Sequence, residues 1–241
     1  MNGMLLRLDD SALLDVSERA SGVARPWREL IVLAAACGTP VADLATLPIG
    51  QRDRLLLELR ARTFGDRLDC EASCPACGAH LELALSAAEL CEPAAPAPAT
   101  DFDVLVDGER ITVRLPDSTD IAASAQEPDR AGAMLFDRCI AREQPDGAQP
   151  LGPWAREALA ARLAALDPMA DLQLDLRCPA CDHTWQASFD PAGFLLREIE
   201  AYAAGLLDDV HLLGRAYGWR ETDILAMSPM RRHQYRERVL A

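Results

Sequence analysis

Apolar residues along this chain follow two different periods, and each change of period marks a boundary. Over residues 1–66 they gather into helical faces. Trp27, Leu30, Ile31 and Leu33 to Ala36 form a compact stretch ended by Gly38 and Pro40, and Leu55, Leu56, Leu57 and Leu59 line a helix that Gly65 closes. Past this helical module the period becomes two. Leu81, Leu83 and Leu85 recur at every second residue, the start of a ribbon half that covers 67–92. Much later Leu172, Leu174 and Leu176 alternate with Gln173, Asp175 and Arg177, and Trp185, Ala187 and Phe189 with Thr184, Gln186 and Ser188. That alternation predicts two half-buried strands, a second ribbon half over 171–190.

Between the halves, 93–170 reads as an insertion of mixed α and β character. It opens on a semi-rigid linker carrying Pro93, Pro96 and Pro98. Phe102, Val104 and Val106 then face Ile111 and Val113 across Asp107-Gly108, a hairpin signal. Helices are expected over Arg130 to Glu143 and Trp154 to Leu166, with a Pro/Gly loop from Pro145 to Pro153 between them.

A C-terminal helical module covers 191–241. Leu195, Ile199, Tyr202, Leu206, Val210, Leu213 and Tyr217 recur at steps of three and four, an apolar stripe along one long helix. The stripe suits packing on the chain's own N-terminal helices or on a partner. Gly218 ends that helix, a short helix follows over about Glu221 to Met227, and Ser228-Pro229 offers a cap and first-turn proline for a last one.

Both ribbon halves carry the same word, Cys-Pro-Ala-Cys, at Cys74–Cys77 and Cys178–Cys181. A Cys-x-x-Cys turn aims two thiolates at one point, and two such turns complete the tetrahedral sulfur set of a structural zinc site. Three other readings stay open. A redox dithiol needs only one of the two words. A disulfide framework suits a secreted chain, but Met4-Leu5-Leu6-Arg7 followed by Asp9 and Asp10 does not read as a secretory signal. Cys70, Cys74 and Cys77 also have the spacing of an iron–sulfur radical enzyme, although the residue before Cys77 is Ala76 rather than an aromatic. His80 and His183 stand just behind the two words and could replace a cysteine or hydrogen-bond near the sulfurs.

Composition narrows the function. The formal charge is −14 and every basic residue is arginine, a balance that repels a phosphate backbone. No apolar run is long enough to span a bilayer. The chain has no Gly-rich phosphate loop after a strand, no His-Glu-x-x-His and no Gly-x-Ser-x-Gly, and His211 and His233 lack a nucleophile nearby. A non-enzymatic protein without a small-molecule substrate, kept in a reducing cytoplasm, is expected.

The C-terminal string Val210-His211-Leu212-Leu213, Ala216-Tyr217-Gly218-Trp219, Asp223-Ile224-Leu225-Ala226-Met227-Ser228-Pro229, Arg231-Arg232 and Tyr235 resembles the tail of the baseplate hub assembly proteins of T-even-like phages. That family also occurs in bacterial phage-tail-like contractile injection systems. Leu47-Pro48-Ile49-Gly50-Gln51-Arg52-Asp53, Phe64-Gly65 and Arg114-Leu115-Pro116 are similar to its injection-system members. One departure is Arg220, where the family often has a helix-capping serine. The resemblance implies an assembly chaperone or structural subunit of a phage tail-like particle, in contact with baseplate or hub proteins.

The expected fold class is therefore α+β: mainly helical terminal modules around a split four-cysteine zinc ribbon that carries a small mixed α/β insertion. One structural Zn2+ per chain is expected on Cys74, Cys77, Cys178 and Cys181. Tyr217, Trp219, Arg231, Arg232 and Tyr235 are residue types favoured as interface anchors and form the candidate partner surface. The alternative is a nucleic-acid-binding or transcription-associated zinc ribbon, with Arg231, Arg232, Arg236 and Arg238 as its basic face.

Overall fold

The computed structural model describes residues 5–92, 101–106, 109–140 and 152–241. The Asp107-Gly108 turn, the Pro93–Pro98 linker and most of the Pro145–Pro153 loop lie outside them.

Four helices open the chain: α1 (Asp10–Ala20), α2 (Trp27–Cys37), α3 (Val41–Ala45) and α4 (Ile49–Phe64). Asp9 caps α1 by accepting from the Ala12 amide at 2.8 Å. Gly38 ends α2 in the left-handed region at φ 65°, a conformation that costs glycine little. Two ribbon hairpins follow the expected alternation, β1 (Arg67–Ser73) with β2 (His80–Ser86) and, far along the chain, β5 (Leu172–Arg177) with β6 (Thr184–Phe189). A one-turn helix, α5 (Ala87–Leu90), leaves β2. The insertion holds a third hairpin, β3 (Phe102–Val106) with β4 (Glu109–Val113), and the helices α6 (Ser118–Ser124), α7 (Ala131–Cys139) and α8 (Pro153–Leu166). The chain closes with α9 (Pro191–Tyr217), α10 (Glu221–Leu225) and α11 (Pro229–Leu240). Among the described residues the three hairpins are separate two-stranded sheets. The architecture is mixed α+β, with helical ends around a split four-cysteine ribbon.

The main core joins the two ends of the chain. Leu13 and Val16 of α1, Leu30 and Leu33 of α2, Leu44 of α3 and Leu56 and Leu59 of α4 pack with Leu195 and Ile199 of α9. Leu206 continues the stripe against Leu14, and Leu213 is fully buried, whereas Tyr217 emerges at 39% exposure. The stripe is thus core over most of its length and turns outward only at its end.

The insertion has its own small core of Ile111, Val113, Ala155 and Leu159 under Phe102, Phe136 and Leu163. Asp120, fully buried, ties it together by accepting from Arg114 at 2.6 and 2.8 Å and from Arg138 at 2.7 Å. Helix α7 stops at Cys139, short of the expected Glu143. Ile140 turns extended and bridges to Val113, so a β-branched residue joins the sheet edge instead of prolonging the helix.

The insertion is also fastened to the start of α4. The Ile49 amide donates to the Pro116 carbonyl at 3.0 Å, the Gly50 amide to Asp167 Oδ2 at 2.9 Å, and Arg52 Nη1 to Ser118 Oγ at 3.3 Å. Gly50 is required by this approach, because a Cβ there would lie 1.8 Å from Asp167 Oδ1. The insertion is thus anchored on a helix N-terminus as well as through the ribbon halves that flank it.

Candidate metal centre

Each cysteine word sits at the tip of a ribbon hairpin, and the two tips are built alike. The Gly78 amide donates to the Cys74 carbonyl and the Asp182 amide to the Cys178 carbonyl, both at 2.9 Å. The Cys74 amide returns to the Ala79 carbonyl, and the Cys178 amide to the His183 carbonyl, again at 2.9 Å. Both turns need a left-handed residue four positions after the first cysteine, and Gly78 (φ 74°) and Asp182 (φ 59°) fill it. Asp is one of the few side chains that tolerates this region. Asp182 is further held by Arg177 Nη2 at 2.8 Å. Asp182 takes the place in the second turn that Gly78 takes in the first, which shows only when the two words are aligned.

The tips meet with their sulfurs crossed. Cys74 Sγ lies 3.7 Å from Cys181 Sγ, and Cys77 Sγ lies 3.7 Å from Cys178 Sγ. All four sulfurs fall within 4.8 Å of one another. Disulfide bonding requires about 2 Å, so these are free thiols. Four sulfurs at zinc–thiolate distance from one centre form a tetrahedron with edges of about 3.8 Å. The two crossed separations of 3.7 Å fit that figure. Cys74 and Cys178 form the buried floor with Leu81 and Trp185, whereas Cys77 and Cys181 are exposed.

Electrostatics support the same fit. Burial raises the Cys74 thiol, but the Cys77 and Ala76 amides and the adjacent sulfurs outweigh it and bring it down to about 7. At Cys181 the His183 amide pulls downward, yet the sulfurs of Cys77, Cys178 and Cys74 together with burial push it up to about 12. One thiolate forms readily and the last resists. Four negative sulfurs this close need a cation among them.

The rival readings can now be placed. Both words contribute to one cluster, which a redox dithiol would not require. Cys70 lies within β1, packed beside Leu85 and Phe194, outside the sulfur cluster. The histidines are outside it too: His80 Nδ1 lies 3.4 Å from Ser73 Oγ, and His183 stacks on Trp185 at 6.1 Å.

The C-terminal candidates separate into two groups. Tyr217, Trp219 and Tyr235 form one aromatic cluster, with ring centroids 4.5, 5.7 and 4.8 Å apart. Arg231 lies over Tyr235 at 6.0 Å. Arg232 instead points inward and is only 2% exposed. It donates to Asp10 Oδ2 at 2.6 Å and Asp209 Oδ2 at 3.0 Å, tying α11 to α1 and α9. Sequence reasoning missed this clamp because its acids are remote in the chain. Arg220 precedes α10 with no side-chain cap, so the capping serine of the resemblance has no substitute here.

Helical ends that share one core, around four thiols placed to hold a metal ion, are what fold and site define. Residues 30–142 match the family model of the T4 bacteriophage base plate protein. The match runs from within α2 through the first ribbon half and the insertion to just past α7. It includes the contacts of Ile49 with Pro116 and of Arg52 with Ser118, and leaves Asp167, the second cysteine word and the C-terminal motifs outside. No curated protein and no solved structure matches the chain. No described helix is long and apolar enough to cross a membrane.

Proposed function

We propose that this protein is a non-enzymatic assembly or structural component of the baseplate of a phage tail or contractile injection system. It works through contacts with other baseplate or hub proteins, in the cytoplasm where such particles are built. The family match over 30–142 carries the reading. We assign Cys74, Cys77, Cys178 and Cys181 as ligands of one structural zinc ion. When bound, zinc supplies four metal–thiolate bonds and, with every position filled by sulfur, has no place for a substrate or water. The chain's own residues do the rest. The crossed tips bring β1–β2 against β5–β6, and the Gly50–Asp167 contact fixes the entry to β5 on α4. The partner surface is assigned to Tyr217, Trp219, Tyr235 and Arg231, with Arg232 holding α11 in place beneath them.

The outward arginines of α11 favour nucleic acid as a second reading, against the −14 charge of the whole chain. The test is to tag the chain in its host, sediment the lysate and quantify it by mass spectrometry in every fraction. Stoichiometric presence in complete particles makes it a subunit, and presence only with half-built baseplates makes it a chaperone. Co-sedimentation with neither sinks the baseplate reading.

A further inference from the structure

We propose that the exposed face of α11, with Tyr217 and Trp219 beside it, docks an acidic segment of a partner protein. This rests on the partner surface assigned above and specifies what it recognises. The four arginines of α11 divide by direction. Arg232 turns inward to Asp10 and Asp209, and Arg236, partly exposed, is paired with Asp209 Oδ1 at 2.9 Å. Arg231 and Arg238, two turns apart on one face, turn outward. Their guanidinium carbons lie 6.0 and 5.9 Å from the Tyr235 ring centroid. Arg238 also donates to the Gln234 carbonyl at 2.7 Å. Among the described residues, neither forms an ion pair with a carboxylate.

That pairing state is not due to a shortage of acids, since the chain has 38 acidic residues against 24 basic ones. A guanidinium resting on an aromatic ring keeps N–H groups free, in Arg238 those not given to Gln234, and these match a carboxylate in a two-pronged contact. Two such edges flank an aromatic cluster in which Tyr217 is 39% exposed, and Met230 on the same helix is 75% exposed. Positive charge around an accessible aromatic patch, on a chain that is otherwise strongly acidic, complements a short acidic segment with interspersed apolar side chains. Screening over about 8 Å at physiological salt restricts the attraction to this patch, so the remaining negative surface tolerates a short segment better than a long polyanion.

The test uses the full zinc-loaded chain and a fluorescein-labelled peptide alternating Glu with Leu and Trp, beside the same peptide with Gln for every Glu. The Glu peptide is expected to bind, weakening with salt. Binding is expected to fall at least about tenfold in the Arg231→Gln/Arg238→Gln variant, whose substituted side chains are both on the surface. Unchanged circular dichroism and zinc content establish that the variant is folded. Equal binding of the two peptides, no binding of either, or an unaffected variant would overturn the proposal. So would tighter binding of an oligonucleotide that the variant loses, or a wild-type dimer in sedimentation velocity that the variant abolishes. If the wild type is missing from host particles while the Glu peptide still binds through these arginines, the baseplate reading fails and the docking chemistry stands.

Discussion

The helical body and the ribbon hold together by different means. In the body Leu30, Leu33, Leu44, Leu56 and Leu195 are at most 1% exposed, each contributing about 1.5–3 kcal/mol by leaving water. In the ribbon Leu172, Leu174, Leu176, Trp185, Ala187 and Phe189 are all half-buried. Its full burial is concentrated at Leu68 and Leu81 and at the sulfurs of Cys74 and Cys178. An isolated two-stranded hairpin is marginal in water, and two hairpins with thin apolar contact gain little more. The body therefore stands on its own core, and under the proposed zinc site the ribbon relies on the metal for much of its stability. Arg60 connects the two, donating to Glu198 of α9 at 2.8 and 2.7 Å, to the Gly65 carbonyl at 2.6 Å, and to the Arg67 carbonyl at the start of β1.

The largest test of this contrast removes the metal. Cys178→Ser, or chelation, is expected to abolish binding of one zinc per chain, with an apparent loss on the order of 10 kcal/mol of binding free energy. Hydrogen exchange should then speed up across β1, β2, β5 and β6 while α1, α2 and α4 stay protected. Equal loss of protection in both regions would break the comparison. Next, Arg232→Ala leaves Asp10 and Asp209 close together without the cation between them. A loss of about 3–5 kcal/mol is expected, read as a lower urea midpoint with α11 exchanging first. Leu33→Ala in the body should cost about 2–5 kcal/mol. The equivalent change in the ribbon, Leu174→Ala, should cost under about 1.5 kcal/mol, because part of that side chain is already in water. Similar costs at the two sites would show the ribbon to be as tightly packed as the body.

Further effects are expected with pH, and they have opposite signs in two places. Burial would raise Asp120, but Arg114, the Asp117 amide and Arg138 outweigh it and hold its carboxyl down at about 2. Its contribution is complete above the ordinary value near 4 and is lost as the pH falls through about 2. It amounts to roughly 1–2 kcal/mol because the arginines are partly in water. Asp53 is pushed up to about 6, mainly by burial and only partly relieved by Arg52. The folded chain then holds its proton where the unfolded one has lost it, so stability should decline as pH rises from about 4 to about 6. Asp53→Asn should remove that decline from a series of melting temperatures; a decline that persists would assign it to other groups.

How much of this could be read from the chain follows from the range of each interaction. Period-two alternation placed β2, β5 and β6 because a strand's inner face is written in neighbouring residues. Gly38, Gly65, Gly218 and Ser228 marked helix ends because capping is settled within a turn. The repeated Cys-Pro-Ala-Cys pointed to one shared centre because two sulfurs per word leave two coordination positions to fill. The extended Ile140 was not legible, since its preference was decided by a strand edge at Val113. The turn at Asp182 was hidden because its backbone conformation is more familiar from glycine.

Sequence by itself determined the long helices, three of the ribbon strands, the paired cysteine words and the chemical character of the C-terminal helix. Only the tertiary structure decided which arginines of α11 face inward, which helix N-terminus receives Asp167, and how the sulfurs pair across the centre. Adjacent arginines are chemically alike. What distinguishes Arg232 from Arg231 is that Asp10, at the far end of the chain, is brought beneath one and not the other.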